Sequence, residues 1–362
     1  MITVAEEPRT MRVLARGNWQ DDSGEIVTAA VPEFLGRIDL PKGQRATRLD
    51  LANWLTDPEK GAGGLSARVF VNRWWYLFFG SGISSSLSDF GGQGQPPSNP
   101  ALLDSLAVSF YENGWDIKAL TRLLVTSRTY RQSSVASPEM LARDPYNQLV
   151  ARQSRYRLPA ELIRDNALVI SQLLADEYGG DSAKPYQPEG YFRHLNFPER
   201  TYASHEDARQ WRRGVYVHWQ RMFLHPMMKA FDAPSREECS AERPSSNTPN
   251  AALALLNDPT FVEAARVFAE RILTEGGDSV DERLNFAYQV ALTRSPDETE
   301  RSVFRRLLES TRAAYREQPE AATTLVETGL ASRSQDIPTL ELASWTAVAR
   351  GLINLNETIT RN

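Results

Sequence analysis

The chain has 362 residues, of which 41% are apolar and 9% aromatic, and this composition excludes a globally disordered protein. Its net charge of −5 gives no bulk attraction to nucleic acid, and its single cysteine excludes an internal disulfide and a thiolate metal cluster. No apolar run approaches the length of a membrane span. We therefore expect a globular protein with no nucleic-acid partner and no membrane span.

Residues 1–45 form the first predicted segment, an irregular N-terminal linker that lies on the surface of the main body. Pro32 and Pro41 prevent longer regular elements there. The first residues also lack the basic flank and the apolar centre of a signal peptide. Either the chain acts in the cytoplasm, or it belongs to a longer precursor.

Residues 46–362 carry the pattern of a mainly α, multi-helix globular domain with long loops and few or no strands. Apolar residues repeat at helical spacing over residues 49–55, and residues 66–80 are apolar on nearly all sides. Capping boxes are predicted over residues 279–282 and 295–298. Residues typical of helix starts mark the later helices: Asn99, Asp116, Pro159, Thr248, Asp258, Ser279, Ser295 and Pro338.

Two long loops interrupt these helices, at residues 180–210 and 232–248, and two subdomains of the helical domain can meet near residues 180–245. Aromatic and polar residues alternate in the first loop, and such rings either recognise sugars or peptides or anchor the loop to a core. Those residues are Tyr186, Tyr191, Phe192, His194 and Phe197. Between the loops, GVYVHW is ambiguous between strand and helix, and the spacing that ends at Trp219 and Met222 favours a helix.

A polar stripe follows one face of the apolar helix predicted over residues 66–80. Arg68, Asn72 and Tyr76 are each four residues apart, and Asp89 on the following loop is a plausible partner. A buried hydrogen-bonded network of Arg68, Asn72 and Asp89 is the favoured interpretation, because an unpaired buried charge is costly. The alternative is a binding pocket for an anionic or hydroxylated ligand.

The run RYRLPAELIRD places a second group of charges at helical spacing. Glu161 and Asp165 are candidates for paired acid–base carboxylates, and Arg164 is a candidate anion ligand. Arg157 and Arg164 can equally form ion pairs with Glu161 along the helix. No nucleophile or base accompanies them, so we favour a structural network. Asp232 is a further candidate carboxylate from the second long loop.

The four histidines and the cysteine give little support for a metal or cofactor. His194, His205, His218 and His225 do not form a recognisable metal-binding motif, and the run C-x-x-C-H needed for covalent haem attachment does not occur. Cys239 lies between arginines and glutamates, so its reactivity is not fixed by its neighbours, and we favour a structural or unpaired thiol. We expect neither a metal site nor a cofactor in this chain.

Several runs, taken in order, resemble one family. They are RLDLANWLTDPEKGAGGLSARVFVNRWWYLFFG, RYRLPAELIRDNAL, FDAPSREEC, TPNAALALLNDPTFVEAARVFAERIL and LINLNETITR. Together they resemble planctomycete secreted domain one, a C-terminal domain of large exported proteins that also carry a planctomycete-type cytochrome c module. The resemblance implies a secreted, periplasmic or cell-envelope location within a longer precursor. It also implies that upstream domains, including a haem module, are partners.

The resemblance implies no reaction, and this sequence departs from the family at a few positions. Members often carry His where this chain has Asn99, Trp where it has Ser105, and a His pair where it has Leu77 and Phe78. A metal role for those histidines therefore does not transfer to this chain.

The sequence favours a non-catalytic interaction or scaffold domain of a secreted, cytochrome c-associated polypeptide. No catalytic constellation is recognisable. The alternatives are a carbohydrate-binding module and a hydrolase that acts on extracellular polysaccharide. In the hydrolase, the working carboxylates would come from Asp89, Glu161, Asp165 and Asp232.

Overall fold

The computed structural model describes residue 4 and residues 6–195, 199–221 and 223–361. The predicted mainly α fold is confirmed. The helices are α1 (Arg48–Thr56), α2 (Gly63–Phe79), α3 (Pro100–Glu112), α4 (Ile117–Thr126), α5 (Pro138–Arg143), α6 (Ala160–Ile170), α7 (Pro226–Ala230), α8 (Pro249–Asn257), α9 (Pro259–Glu275), α10 (Val280–Leu292), α11 (Glu298–Glu317), α12 (Pro319–Val326), α13 (Thr339–Ile353) and α14 (Asn356–Ile359). The strands form antiparallel pairs, β1 (Met11–Arg12) with β2 (Ile26–Val27) and β3 (Tyr156–Arg157) with β4 (Thr360–Arg361). Within the described part of the chain, no helix is both long and apolar enough to cross a membrane.

The chain divides into two compact units, residues 1–153 and residues 154–362. This division lies ahead of the segment near residues 180–245 where we expected subdomains to meet. In the first unit, α2 packs against α3 and α4 around a core that includes Val71, Leu103 and Leu124. The unit also contains α1, α5 and the hairpin of β1 and β2.

The second unit is built around two helices that pack along each other, α9 and α13. Phe261 and Phe268 of α9 and Trp345 and Leu352 of α13 are fully buried in its core. The helices α11 and α12 pack on α13, and α6 packs on α9. Tyr156 pairs with Arg361 between β3 and β4, so the end of the chain is tied to the start of this unit.

Four of the eight predicted helix starts are confirmed by side-chain caps, at Asn99, Asp116, Asp258 and Ser279, because a cap is a local feature of sequence. In the described part of the chain, the helices that begin near Pro159, Thr248 and Pro338 form without a side-chain cap. Asn99 and Asp116 accept backbone N–H groups of α3 and α4, and Ser279 and Glu282 form the predicted capping box of α10. The capping box predicted over residues 295–298 is wrong. Helix α11 is instead capped by Asp297, whose carboxylate accepts the N–H of Glu300 at 2.8 Å.

The helix predicted for GVYVHW is also wrong. Gly214–Tyr216 forms a single 3-10 turn, and Val217 then forms a parallel bridge with Ala183. The amide of His218 donates to the carbonyl of Ala183 at 2.6 Å, so pairing with a distant segment replaces the local helix. Met222, through which we expected the helix to run, lies outside the described residues.

The N-terminal linker contains the short hairpin and two 3-10 turns, at Ala15–Gly17 and Glu33–Leu35. We expected the apolar residues of this segment to lie against the helical body. Val13, Leu14, Ile26 and Val27 are instead exposed, so this expectation is wrong for them. An isolated hairpin of two-residue strands covers little apolar surface, so these side chains stay open to solvent. Val31, the fifth residue of the expectation, is partly buried.

Candidate functional site

An apolar groove of about 410 Å³ lies between α1 and α2 in the first unit. Its lining contains a single charged residue, Arg73. Leu55 of α1 and Leu65 of α2 face the groove and are each 41% exposed. The remaining lining residues are Leu35, Trp54, Ala62, Ser66, Val69 and Phe70.

The turn that joins α1 to α2 holds the two walls of the groove in place. The Asp57 side chain accepts the N–H groups of Glu59 and Lys60, at 2.8 and 2.9 Å. Gly61 lies so close to the end of α1 that a Cβ there would be 1.9 Å from the carbonyl oxygen of Trp54. Only glycine permits this approach, so the sequence of the turn fixes the spacing of the helices.

Two polar groups of the groove have unused hydrogen-bonding capacity. The indole N–H of Trp54 is buried and has no acceptor within the described residues. The Arg73 guanidinium makes long hydrogen bonds to the carbonyl of Leu87, at 3.3 and 3.4 Å, and in the described part of the chain it forms no ion pair. Arg73 is exposed and its bonds to Leu87 are long, so its guanidinium is available to an added carboxylate, whereas the buried Trp54 N–H is not.

The predicted network of Arg68, Asn72 and Asp89 is not formed. Arg68 pairs with Asp104 of α3 at 2.8 Å. Asn72 is fully buried, and its amide exchanges hydrogen bonds with the backbone of Ser84 at 2.8 and 2.9 Å.

The loop residue of that predicted network is used locally. Asp89 is partly exposed and accepts the N–H of Gly91 at 2.7 Å, within its own turn. Tyr76 is partly exposed on the same helix as Arg68 and Asn72. Helical spacing correctly placed these three side chains on α2. Their hydrogen-bonding and ion-pair partners depend on neighbouring segments, which the spacing does not predict.

Within the described part of the chain, the charged residues near the start of α6 form three ion pairs, and the first joins Arg157 to Asp232. Arg157 donates to the carboxylate of Asp232 at 2.5 Å, and that carboxylate also accepts the N–H and hydroxyl of Ser246, both at 2.8 Å. Burial would raise the pKa of Asp232, but the hydrogen bonds from Ser246 and Arg157 outweigh it and hold the pKa below its ordinary value. Asp232 is therefore held in its ionised form.

Glu161 and Asp165 lie one turn apart on α6 but have different surroundings. Glu161 pairs with Arg243 at 2.7 Å. Asp165 accepts the N–H of Gly214 at 2.6 Å, yet burial raises its pKa above the ordinary value. A Cβ on Gly214 would lie 2.8 Å from the Cα of Glu161, so glycine is required for this close contact.

Arg164 lies 3.9 Å from the Asp165 carboxylate, but its hydrogen bonds go to the loop backbone. Its guanidinium is fully buried and donates to the backbone carbonyls of Arg212 and Gln210, with the Arg212 oxygen at 2.5 Å. Arg212 in turn donates to the carbonyls of Gly179 and Asp181. The two arginines therefore fix the backbone of the long loop onto α6.

Glu263 on α9 carries a fully buried carboxylate that was not predicted from the sequence. It accepts the Tyr186 hydroxyl at 3.2 Å and the Trp211 indole N–H at 3.1 Å. It also accepts the backbone N–H groups of Leu330 and Ala331, at 2.6 and 2.7 Å. The available signal was a charged residue among the apolar residues of the first turns of α9, which include Phe261, Val262 and Ala264.

Arg266, one turn further along α9, completes this contact. It donates to the carbonyls of Ala331 and Ser332, at 2.6 and 3.1 Å, and pairs with Glu270 at 2.8 Å. Gly329 adopts a φ of +96°, and a Cβ there would lie 2.3 Å from the Glu263 carboxyl carbon. These two side chains thus clamp the loop between α12 and α13.

A second pocket, of about 260 Å³, lies within the long loop over residues 187–202. The Tyr191 hydroxyl donates to the carbonyl of Leu224 at 3.0 Å, and the Tyr202 hydroxyl donates to that of Pro185 at 2.6 Å. These contacts anchor the loop, which was one of the two roles considered for its aromatic residues. Phe197 lies outside the described residues.

The histidines and the cysteine do not assemble. His225 is 2% exposed, and burial lowers its pKa to about 4. Burial also lowers the pKa of His205 and of His218, and Cys239 is exposed. Among the residues that the structure describes, no cluster of three or more His, Cys, Asp or Glu could hold a metal ion.

These features define a mainly α-helical protein of two units, with an open apolar groove in one and internally paired charges in the other. Residues 47–308 match the family PSD1, described as a protein of unknown function (DUF1553), and the chain therefore belongs to that family. The match includes α1, α2, α6 and α9. No curated protein and no solved structure matches the chain. The family name agrees with the resemblance to a secreted planctomycete domain, whereas the link to cytochrome c stays a prediction.

Proposed function

We propose that this chain is a helical interaction domain that holds other parts of an exported, cytochrome c-associated polypeptide. The observation that supports it is the groove between α1 and α2, with Leu55 and Leu65 each 41% exposed on its walls. Exposed apolar patches of this kind mark protein-interaction surfaces. The groove lies largely within the matched family region.

Charged side chains of the second unit that bond to other groups of the same chain also support this proposal. Arg157 and Asp232 bond to each other, and Arg164 bonds to backbone carbonyls. Glu263 accepts four hydrogen bonds from its own chain. Charged side chains held in this way fix loops in position and stabilise a rigid body.

The partners follow from the family resemblance. We propose that they are upstream domains of the same polypeptide, including a haem module, and that the assembly acts outside the cell or in its envelope. Carbohydrate is a further candidate ligand, for which the aromatic residues of the long loop are the supporting feature.

Co-expression tests the interaction function. The upstream domains are produced as a separate polypeptide, and their association with this chain is measured by calorimetry. Association in the micromolar range is expected, and a Leu55→Glu variant is expected to weaken it. No association at high micromolar concentration would contradict the proposal.

A hydrolase is the second candidate, and Asp165 is the observation that favours it. Its pKa is raised by burial, as a general acid requires, and Glu161 lies one turn away on the same helix. Turnover of a polysaccharide by the chain, lost in Asp165→Asn but kept in Asp89→Asn, would establish this function in place of the first. In Asp165→Asn, the amide oxygen of the introduced asparagine can still accept the Gly214 N–H, so the fold should persist.

A further inference from the structure

We infer that the groove between α1 and α2 docks a polypeptide segment that presents neighbouring apolar side chains and one carboxylate. The inference rests on the proposed interaction function and names the chemistry of the partner. Three properties of the groove carry it: its open apolar walls, its fixed shape, and an exposed arginine, Arg73, that forms no ion pair within the described residues.

The apolar wall formed by α1 is open to an unusual degree. Only Trp54 is buried in this helix, whereas Leu49 is 69% exposed and Leu51 and Leu55 are each 41% exposed. An amphipathic helix of a monomeric domain normally turns its leucines inward. A partner that covers Leu55 and Leu65 would remove this apolar surface from water, and that removal drives association.

The shape of the groove is set before a partner arrives. The floor residue Phe70 is stacked on Phe110, with ring centroids 4.9 Å apart, and on Trp74 at 5.4 Å. The Trp74 indole N–H donates to the Thr121 hydroxyl at 3.0 Å, which ties α2 to α4. A preformed groove loses little side-chain freedom on binding, so more of the apolar contact appears as affinity.

The polar groups define the remaining chemistry of the partner. Arg73 is exposed, lines the groove, and within the described residues has no carboxylate partner. A guanidinium pairs best with a carboxylate, which it can hold through two parallel hydrogen bonds. The indole N–H of Trp54 is buried and out of reach of a docked segment, so Arg73 is the group that defines the polar contact.

Peptide selection tests the inference with the full chain. A displayed library of short random peptides is selected on the protein, and the enriched peptides are synthesised and titrated by fluorescence anisotropy. The enriched sequences should combine two or more Leu, Ile or Phe with an Asp or Glu. Leu65→Glu and Arg73→Glu should each weaken their binding by about tenfold or more.

Leu123→Glu is the matched control, because Leu123 is 50% exposed on α4 and lies outside the groove lining. It should leave peptide binding unchanged, and circular dichroism should show that every variant is folded. In Arg73→Glu, replacing the acidic residue of the peptide with Lys should restore binding, which a misfolded groove could not do.

Three results would overturn the inference. The first is enrichment of peptides whose binding ignores Leu65→Glu, and the second is an Arg73→Glu variant that binds the acidic peptides unchanged. The third is a concentration-dependent dimer that Leu65→Glu abolishes, which would show that a second copy fills the groove. Failure of the upstream domains to associate would affect only the proposed function, because the peptide experiment does not involve them.

Discussion

Acidification should destabilise the second unit through His225, a buried imidazole. Its Nε2 lies 2.8 Å from the carbonyl oxygen of Tyr186, so a neutral ring can donate this hydrogen bond. Its Nδ1 is buried and has no partner within the described residues. A proton added at Nδ1 would be a buried charge without an acceptor, and burial accordingly lowers the pKa of His225 to about 4.

The sign and size of the effect follow from linkage. Between pH 6.5 and pH 4 the unfolded chain binds a proton at His225 that the folded chain does not. The free energy of unfolding therefore decreases as the pH is lowered through this window. A pKa difference of about 2.5 units corresponds to about 3 kcal/mol. The contribution is fully present above the unfolded pKa, and its loss is complete just below the folded pKa.

The assay compares the wild-type chain with His225→Gln by urea unfolding from pH 7 to pH 4. The glutamine amide can donate to the Tyr186 carbonyl but does not titrate, so on acidification the wild-type chain should lose about 3 kcal/mol more stability than the variant. The raised pKa values of Asp165 and Asp258 act in the opposite direction but are common to both proteins and cancel. Parallel curves for the two proteins, or a His225 titration midpoint near 6.5 by NMR, would refute the reasoning.

Three further substitutions test the contacts described above by urea unfolding. Glu263→Gln should lower the free energy of unfolding by about 2–3 kcal/mol. The amide NH₂ of the glutamine would face N–H groups that now donate to the carboxylate. Asn72→Ala should cost about 2–4 kcal/mol, because it leaves both backbone groups of Ser84 unpaired, whereas Asp89→Ala should cost about 1 kcal/mol or less. Gly61→Ala should cost about 1–3 kcal/mol and weaken peptide binding, because its Cβ would push α1 away from α2.

Each of these expectations has an outcome that would contradict it. Unchanged stability of Glu263→Gln would mean that the loop between α12 and α13 is not held by this carboxylate. Equal losses of stability in Asn72→Ala and Asp89→Ala would indicate that the two residues belong to one network, as the sequence predicted. A Gly61→Ala protein with unchanged peptide affinity would show that the spacing of the two helices does not shape the groove.

The helices could be predicted from sequence because their signals are local. The capping box of Ser279 and Glu282 needs only a spacing of three residues, and Asn99 followed by proline marks a helix start in the same way. The competing boxes at the start of α11 show the limit of this signal. Asp297 and Ser295 both fit it, and the structure uses Asp297.

The candidate sites could be predicted less well, because their partners are distant in sequence. Helical spacing placed Arg68 and Asn72 on α2, but α3 supplied the carboxylate for Arg68 and the following loop supplied the backbone groups for Asn72. Glu263 contacts residues as distant as Leu330 and Tyr186, and no local pattern announces such contacts. The bridge of Val217 with Ala183 overrode a helical pattern for the same reason.

Two buried charges of the second unit, Arg164 and Glu263, are bonded to the backbone of loops. Arg164 donates to backbone carbonyls, and Glu263 accepts backbone N–H groups among its partners, so each charge is met by loop backbone. A side chain used in this way cannot bind a substrate without releasing the loop it holds. Arg73 in the first unit is the contrasting case, since it is exposed beside apolar side chains that are themselves partly open to solvent. Arg164 and Glu263 therefore maintain the fold, whereas the exposed Arg73 remains open to a new contact.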